Sequence, residues 1–228
     1  MFGILDDSTP VNDPFVAVLF FQGSLDTEIS QTTLTEPLLE LTDIFPVEDS
    51  SRLTVGDWYA VKSYISGGAA ARELQKLVQV TAITDQHHVQ VSYTNGWTLN
   101  AGRVISWQRV EPVRDVTIRS LRFTGAGYLT QQIYCLYGDI RDCHVSNARH
   151  LNDFTASAYC RVENCHADGQ SAEKGPFVTH GQYEHDLTYA GNSGLMTFAN
   201  SGVTWGNSAR RILFLAVALR PCIAPFHL

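Results

Sequence analysis

The feature that most constrains the fold is a pattern that occurs three times between residues 113 and 169, at intervals of 22 residues. In each copy an apolar residue is followed three and five residues later by two more, and then by Gly or Asn. The first apolar position holds Ile118, Ile140 and Val162. A fixed period of about 20 to 50 residues is typical of a solenoid, in which each unit buries its apolar face against the next copy.

Each copy predicts one coil of a parallel β-helix. The copies are short, alternating and rich in β-branched residues, and they lack the three- and four-residue spacing of an amphipathic helix. Each copy ends on Gly or Asn, which tolerate positive φ, so we expect a turn there. A leucine-rich repeat has a similar period, but its Leu-x-x-Leu-x-Leu pattern is missing. We therefore expect an all-β solenoid with coils of about 22 residues, in which the second apolar positions, Leu121, Cys143 and Cys165, also stack inside.

The repeat divides the chain into four segments. We expect an irregular N-terminal β and loop segment over 1–50, early coils over 51–112, regular coils over 113–219 and a tail over 220–228. Leu187 lies 25 residues after Val162, and Ile212 lies 25 residues after Leu187, which predicts later coils with short insertions.

Composition excludes several classes of protein. With 17% charged and 44% hydrophobic residues, the chain is expected to be ordered. Its net charge of −7, without a cluster of Lys and Arg, argues against nucleic acid as a partner. The apolar run Phe15–Phe21 is too short to cross a bilayer, and the N-terminus does not have the pattern of a signal peptide. Five cysteines argue against a disulfide scaffold, and we expect Cys143 and Cys165 to be buried core residues.

Two stretches resemble a known family. Leu53–Asp57 (LTVGD) precedes an alternating strand, and Val110–Gly125 (VEPVRDVTIRSLRFTG) opens the regular repeat. This order is similar to that of pectate-lyase-like right-handed parallel β-helices, in particular those of bacteriophage tailspikes and tail appendages, over roughly residues 50–205. The resemblance implies a virion tail protein that acts at the host surface. It says little about chemistry, because the family includes lyases, glycoside hydrolases and inert binding spikes.

The candidate site is the densest polar and aromatic cluster of the chain, which surrounds residue 184. Tyr183 is expected to stack on a sugar ring and His185 to help to bind the substrate. Glu184 and Asp186 stand two apart on a predicted strand, so they are expected to share one face as a catalytic carboxylate pair. The alternative is that these residues form a loop and the start of a strand, and that their polar groups make hydrogen bonds within the stack of coils.

No cofactor and no metal is predicted. His144 and His166 occupy equivalent positions after an inward Cys, so both are expected to point outward on successive coils. Two imidazoles one coil apart could hold Zn²⁺, but a third ligand is not apparent in the sequence. We therefore interpret the two residues as a surface ladder.

The resemblance favours a tailspike-like β-helix that binds, and in some members degrades, a bacterial surface polysaccharide. The apolar run at Ile212–Leu219 leaves an open solenoid end that needs a partner, so we expect a homotrimer that contacts other virion tail proteins, without membrane insertion. One alternative is a structural tail protein that mediates subunit contacts and does not touch sugar. The other is a secreted polysaccharide lyase.

Overall fold

The computed structural model describes residues 2–4, 17–64, 72–125, 127–148, 150–168, 177–178, 184–194, 210–215 and 218–219. Within these ranges the chain is all-β, with one short 3₁₀ helix at Ser50–Arg52 and no α-helix. No helix in these ranges is long and apolar enough to span a membrane. An antiparallel sheet precedes a stack of parallel sheets, and the stack gives the chain a β-helix-like architecture.

The strands before the repeat form mainly one sheet. They are β1 (Phe2–Ile4), β2 (Ala17–Gln22), β3 (Ser24–Thr33), β4 (Ile44–Pro46), β5 (Trp58–Tyr64), β6 (Arg72–Asp85), β7 (His88–Val91) and β8 (Val104–Glu111). Six of them follow the order β3-β8-β5-β6-β7-β4, with antiparallel neighbours throughout. One core of this sheet buries Phe45, Tyr59 and Trp107, whose rings meet edge to face.

This antiparallel sheet differs from the early coils predicted over 51–112. Strands β6 and β7 are joined by a tight turn at Gln86 and His87, and β5 pairs with β6 and β8. Antiparallel neighbours need only a short connection, whereas parallel neighbours need a long one. Alternation along a strand is the same in both arrangements, so the sequence pattern did not distinguish them. Among the described strands of 51–112 none pairs in parallel, and the strands after this segment pair in parallel from Val113 onward.

The remaining strands are short. They are β9 (Val113–Arg114), β10 (Thr117–Arg119), β11 (Arg122–Thr124), β12 (Tyr128–Ile133), β13 (Cys135–Leu136), β14 (Asp139–Arg141), β15 (His144–Ser146), β16 (His150–Thr155), β17 (Arg161–Glu163), β18 (His166–Asp168), β19 (Phe177–Val178), β20 (His185–Ala190), β21 (Ser193–Gly194), β22 (Arg210–Leu215) and β23 (Ala218–Leu219). They form parallel sheets in the orders β10-β14-β17-β20-β22 and β11-β15-β18-β21-β23. A third sheet, β1-β2-β12-β16-β19, is parallel except at β1, so a strand of the N-terminal segment joins the stack.

The repeat sets the register of the stack. Ile118 pairs with Ile140, and Ile140 pairs with Val162, so the paired positions are 22 residues apart. All three side chains are buried in one core together with Cys143 and Cys165, as the repeat predicts. The described cysteines are free thiols.

The structure contradicts the predicted placement of two residues in the stack, Leu121 and Leu187. Leu121 is 40% exposed and does not lie in the core: it belongs to the first coil, which has a coil on one side only, although Ile118 of the same coil is covered. Val162 pairs with Tyr189 and not with Leu187, so the insertion after the third copy is two residues longer than the sequence pattern indicates. Leu187 and Tyr189 are both buried, so the apolar pattern of the sequence did not distinguish which of them pairs with Val162.

The antiparallel sheet packs against one side of the stack. Trp58 and Leu77 from the sheet share a buried cluster with Leu136 and Ala158 from the coils. The first residues of β20 lie against the same sheet.

Candidate functional site

The predicted site lies at the start of β20, where the stack meets the antiparallel sheet. Glu184 and His185 are completely buried, and the side chain of Asp186 is 23% exposed. Tyr183 lies outside the described residues. Glu184 and Asp186 therefore do not share an exposed face, and that part of the prediction is wrong.

The backbone at Asp186 explains the difference. Its φ of 55° is left-handed, and one left-handed residue breaks the alternation that places residues two apart on the same face of a strand. Glu184 precedes this break and is enclosed beside Lys76, whose buried Nζ donates to the backbone oxygen of Glu184 at 3.4 Å.

His185 links the stack to the antiparallel sheet. Its Nε2 donates to the carbonyl oxygen of Leu77 at 2.8 Å, and its Nδ1 lies 2.6 Å from Oδ2 of Asp186. Burial lowers the pKa of His185, although both hydrogen bonds favour its charged form. Burial also disfavours the Asp186 carboxylate, but hydrogen bonds from His185 and Arg211 outweigh it and hold the pKa of Asp186 below its usual value. The ring is therefore held between the Leu77 carbonyl and the Asp186 carboxylate.

Asp186 belongs to a column of left-handed residues along one corner of the stack, which we call the corner column. Its members are Asp115 (φ 54°), Tyr137 (φ 58°), Tyr159 (φ 59°), Asp186 (φ 55°) and Arg211 (φ 53°). The amide of Tyr137 donates to the carbonyl of Ala158, and that of Tyr159 donates to His185, at 3.2 and 3.3 Å. Each member is therefore one coil from the next.

The corner column presents aromatic rings followed by charged groups. Tyr137 is 46% exposed and stacks on Tyr159, with ring centroids 5.6 Å apart and planes inclined by 19°. Tyr159 also meets the ring of His185 edge to face, and burial raises the pKa of its phenol. The guanidinium of Arg211 contacts Asp186 at 2.5 Å and lies 5.4 Å from the ring centre of Tyr93.

A second corner of the same coils shows what the turn alone requires. Its left-handed positions hold residues that are small or polar, namely Ser120, Asp142, Asn164 and Gly191. Gly, Asn and Asp are the residues that adopt this conformation at least cost, and other residues cost about 1 to 2 kcal/mol. The Tyr and Arg residues of the corner column therefore carry a conformational cost that Gly, Asn or Asp at these positions would reduce. Such strain is typical of functional positions.

Sequence reasoning found Asp186 but missed Tyr137 and Tyr159. The signal was present, because Asp115, Tyr137 and Tyr159 follow one another at the 22-residue period of the repeat. The prediction applied that period to the apolar residues, to the Gly or Asn turns and to the two histidines, but not to the tyrosines.

The two predicted ladder histidines lie on a different face. His144 on β15 pairs with His166 on β18, and their ring centroids are 5.0 Å apart. Both side chains are partly exposed, as the repeat predicts.

Comparison with known proteins supports the fold. No protein-family model and no curated protein matches the chain. Among solved structures it is similar to the tailspike protein gp49 from Pseudomonas phage LKA1, with a TM-score of 0.61 and 15% identity over 90% of this chain and 36% of that chain. This likeness shows a tailspike-like fold.

Two further tailspikes match less closely. Gp54 of Acinetobacter baumannii bacteriophage AP22, solved with A. baumannii capsular saccharide, gives a TM-score of 0.46 and 13% identity over 76% of this chain and 39% of that chain. The tailspike gp61 of Pseudomonas phage phi297 gives a TM-score of 0.45 and 12% identity over 76% of this chain and 35% of that chain. The chain spans little more than a third of each of these tailspikes.

Proposed function

We propose that this chain is part of a phage virion tail appendage of the right-handed, pectate-lyase-like β-helix type, and that its corner column binds a bacterial surface polysaccharide at the host surface. The fold likeness to a tailspike supports the first part. The observation that carries the second part is the pair of stacked tyrosines, Tyr137 and Tyr159, at left-handed corners where smaller residues cost less.

The chemistry of the corner column suits a sugar polymer. An exposed aromatic ring supplies apolar area for the apolar face of a sugar, and the carboxylate of Asp186 accepts hydrogen bonds from hydroxyls. The guanidinium of Arg211 donates to hydroxyls or to the carboxylates of acidic sugars. Parallel strands repeat at about 4.8 Å, so the column offers these groups in a row along which an extended polymer lies.

A glycan array of purified capsular and O-antigen polysaccharides tests this binding. Tyr137→Asn keeps a residue that tolerates the left-handed backbone and removes the aromatic ring, so affinity should fall about 2- to 13-fold, the equivalent of one stacking contact. The matched control is Asp142→Asn, at the second corner of the same coils, which should bind like the wild type. The proposal fails if no polysaccharide binds, or if both variants bind like the wild type.

Cleavage is a separate proposal. The catalytic roles of Glu184 and Asp186, and the sugar contacts of Tyr183 and His185, stay predictions. Binding is favoured over cleavage because Glu184 and His185 are completely buried and a polymer would reach them only after local opening. A reducing-end assay on any polysaccharide that binds separates the two activities.

A structural role is favoured by a different observation, the exposed apolar face of β22. Leu213 and Leu215 are 50% and 46% exposed, although they lie in an ordered strand of the stack. We propose that this face contacts other subunits of a homotrimer or neighbouring tail proteins, since cyclic symmetry buries the same patch in each copy. Light scattering should show a trimer that Leu213→Glu dissociates, and a stable monomer of the unaltered chain would contradict this role.

A further inference from the structure

The outer face of β15 and β18 brings two imidazoles and one carboxylate together. His144 and His166 are paired on adjacent coils, and Asp168 follows two residues after His166 on the same side of β18. One ligand atom from each of these residues lies within 4.8 Å of the others. In the described part of the chain this is the one group of three such side chains that could hold a metal ion. Asp168 is therefore a candidate for the third ligand that was not apparent in the sequence.

Hydrogen bonds hold two of the three ligands in a suitable orientation. The hydroxyl of Ser146 donates to Oδ1 of Asp168 at 2.5 Å, which leaves Oδ2 directed at the two imidazoles. Nδ1 of His166 lies 2.8 Å from the hydroxyl of Ser193, one coil further along. When Nδ1 donates this bond, Nε2 keeps a free lone pair on the side of Asp168. Supporting bonds of this kind fix the tautomer and direction of metal ligands in proteins.

The distances suit a small tetrahedral ion. Zn²⁺ bound by N and O ligands at about 2.0 to 2.2 Å requires ligand atoms about 3.3 to 3.6 Å apart. Oδ2 of Asp168 lies 2.8 Å from Nε2 of His144 and 3.8 Å from Nε2 of His166. These two values lie on either side of the required separation, so small side-chain rotations would complete the geometry.

We propose that His144, His166 and Asp168 form a Zn²⁺ site that joins two adjacent coils, with water in the fourth position. Two neutral imidazoles and one carboxylate are ligands that Zn²⁺ prefers. Arg122 pairs with His144 from the preceding coil, and its positive charge acts against the binding of a cation. Its side chain is exposed, so water screens it.

Calorimetric titration of the full chain with ZnCl₂, after removal of metal by chelator and dialysis, tests the site. One Zn²⁺ should bind per chain, and His166→Ala and Asp168→Asn should each lower the affinity at least about 10-fold. Ser193→Ala should lower it about 10-fold, because it removes only the bond that orients His166. Asp168→Asn keeps the size of an exposed side chain, so it leaves the fold intact.

The matched control is a histidine–aspartate pair without a third ligand. Nδ1 of His88 lies 2.9 Å from Asp85 on the hairpin of the antiparallel sheet, and His88→Ala should leave Zn²⁺ binding unchanged. Bound Co²⁺ should give the visible absorption of a tetrahedral ion in the wild type and in His88→Ala. Failure of Zn²⁺ to bind, or equal affinity in the wild type and Asp168→Asn, overturns the proposal. An equal loss of affinity in His88→Ala would place the metal elsewhere and overturn it too.

Discussion

Truncation of one stacked isoleucine should destabilise the protein far more than truncation of a leucine at the end of the stack. Ile140→Ala and Leu121→Ala each remove three carbon atoms. Ile140 is fully buried and lies between Ile118 and Val162, whereas Leu121 is 40% exposed. Loss of three buried carbons costs about 2.4 kcal/mol at about 0.8 kcal/mol each. An unrelieved cavity of about 80 Å³ adds about 2 kcal/mol at about 24 cal/mol per Å³.

These values predict a loss of about 2.4 to 4.4 kcal/mol for Ile140→Ala, according to how far the coils close around the cavity. Leu121→Ala should lose about 1.4 kcal/mol, because only its buried part counts and no enclosed cavity forms. Urea unfolding followed by circular dichroism measures both losses of unfolding free energy, provided that the slope of this free energy against urea concentration is the same in each variant. Equal losses for the two variants would refute the account in which Leu121 is an exposed residue of the first coil and Ile140 is enclosed between two coils.

Single substitutions at other positions give further predictions. Gly194→Ala should lower the free energy of unfolding by more than about 1 kcal/mol in a urea titration, because φ is 104° and a Cβ would overlap the carbonyl oxygen of Ala167. Asp186→Asn should be less stable than the wild type near neutral pH, and the difference should shrink as the pH falls below about 3.9, the ordinary Asp value, because the folded pKa of Asp186 is lowered. Glu184→Gln should leave polysaccharide binding unchanged and, if the predicted catalytic role holds, abolish release of reducing ends.

The sequence predicted the part of the fold that depends on its own period. Ile118, Ile140 and Val162 stack as expected, because each coil repeats the same apolar positions against its neighbour. The prediction failed where the period ends. Leu121 has a coil on one side only, and the insertion before β20 allowed Leu187 or Tyr189 to satisfy the pattern.

The structure around the predicted site depends on packing between residues that are far apart in the sequence. Nothing local to Glu184 indicates that the antiparallel sheet, with Lys76 and Leu77, covers the start of β20. The left-handed conformation of Asp186 arises from its corner position in the stack; Asp tolerates this conformation but does not by itself predict it. A site argued from alternation along one strand therefore failed, whereas the spacing of Tyr137 and Tyr159 contained the needed information.

The most direct test of polysaccharide binding by the corner column is a crystal structure of the chain with an oligosaccharide from a polysaccharide selected on the array. We expect a sugar ring against the exposed face of Tyr137, and hydroxyl groups within hydrogen-bond distance of Asp186 or Arg211. An oligosaccharide bound at full occupancy without contact to any residue of the corner column would contradict the account.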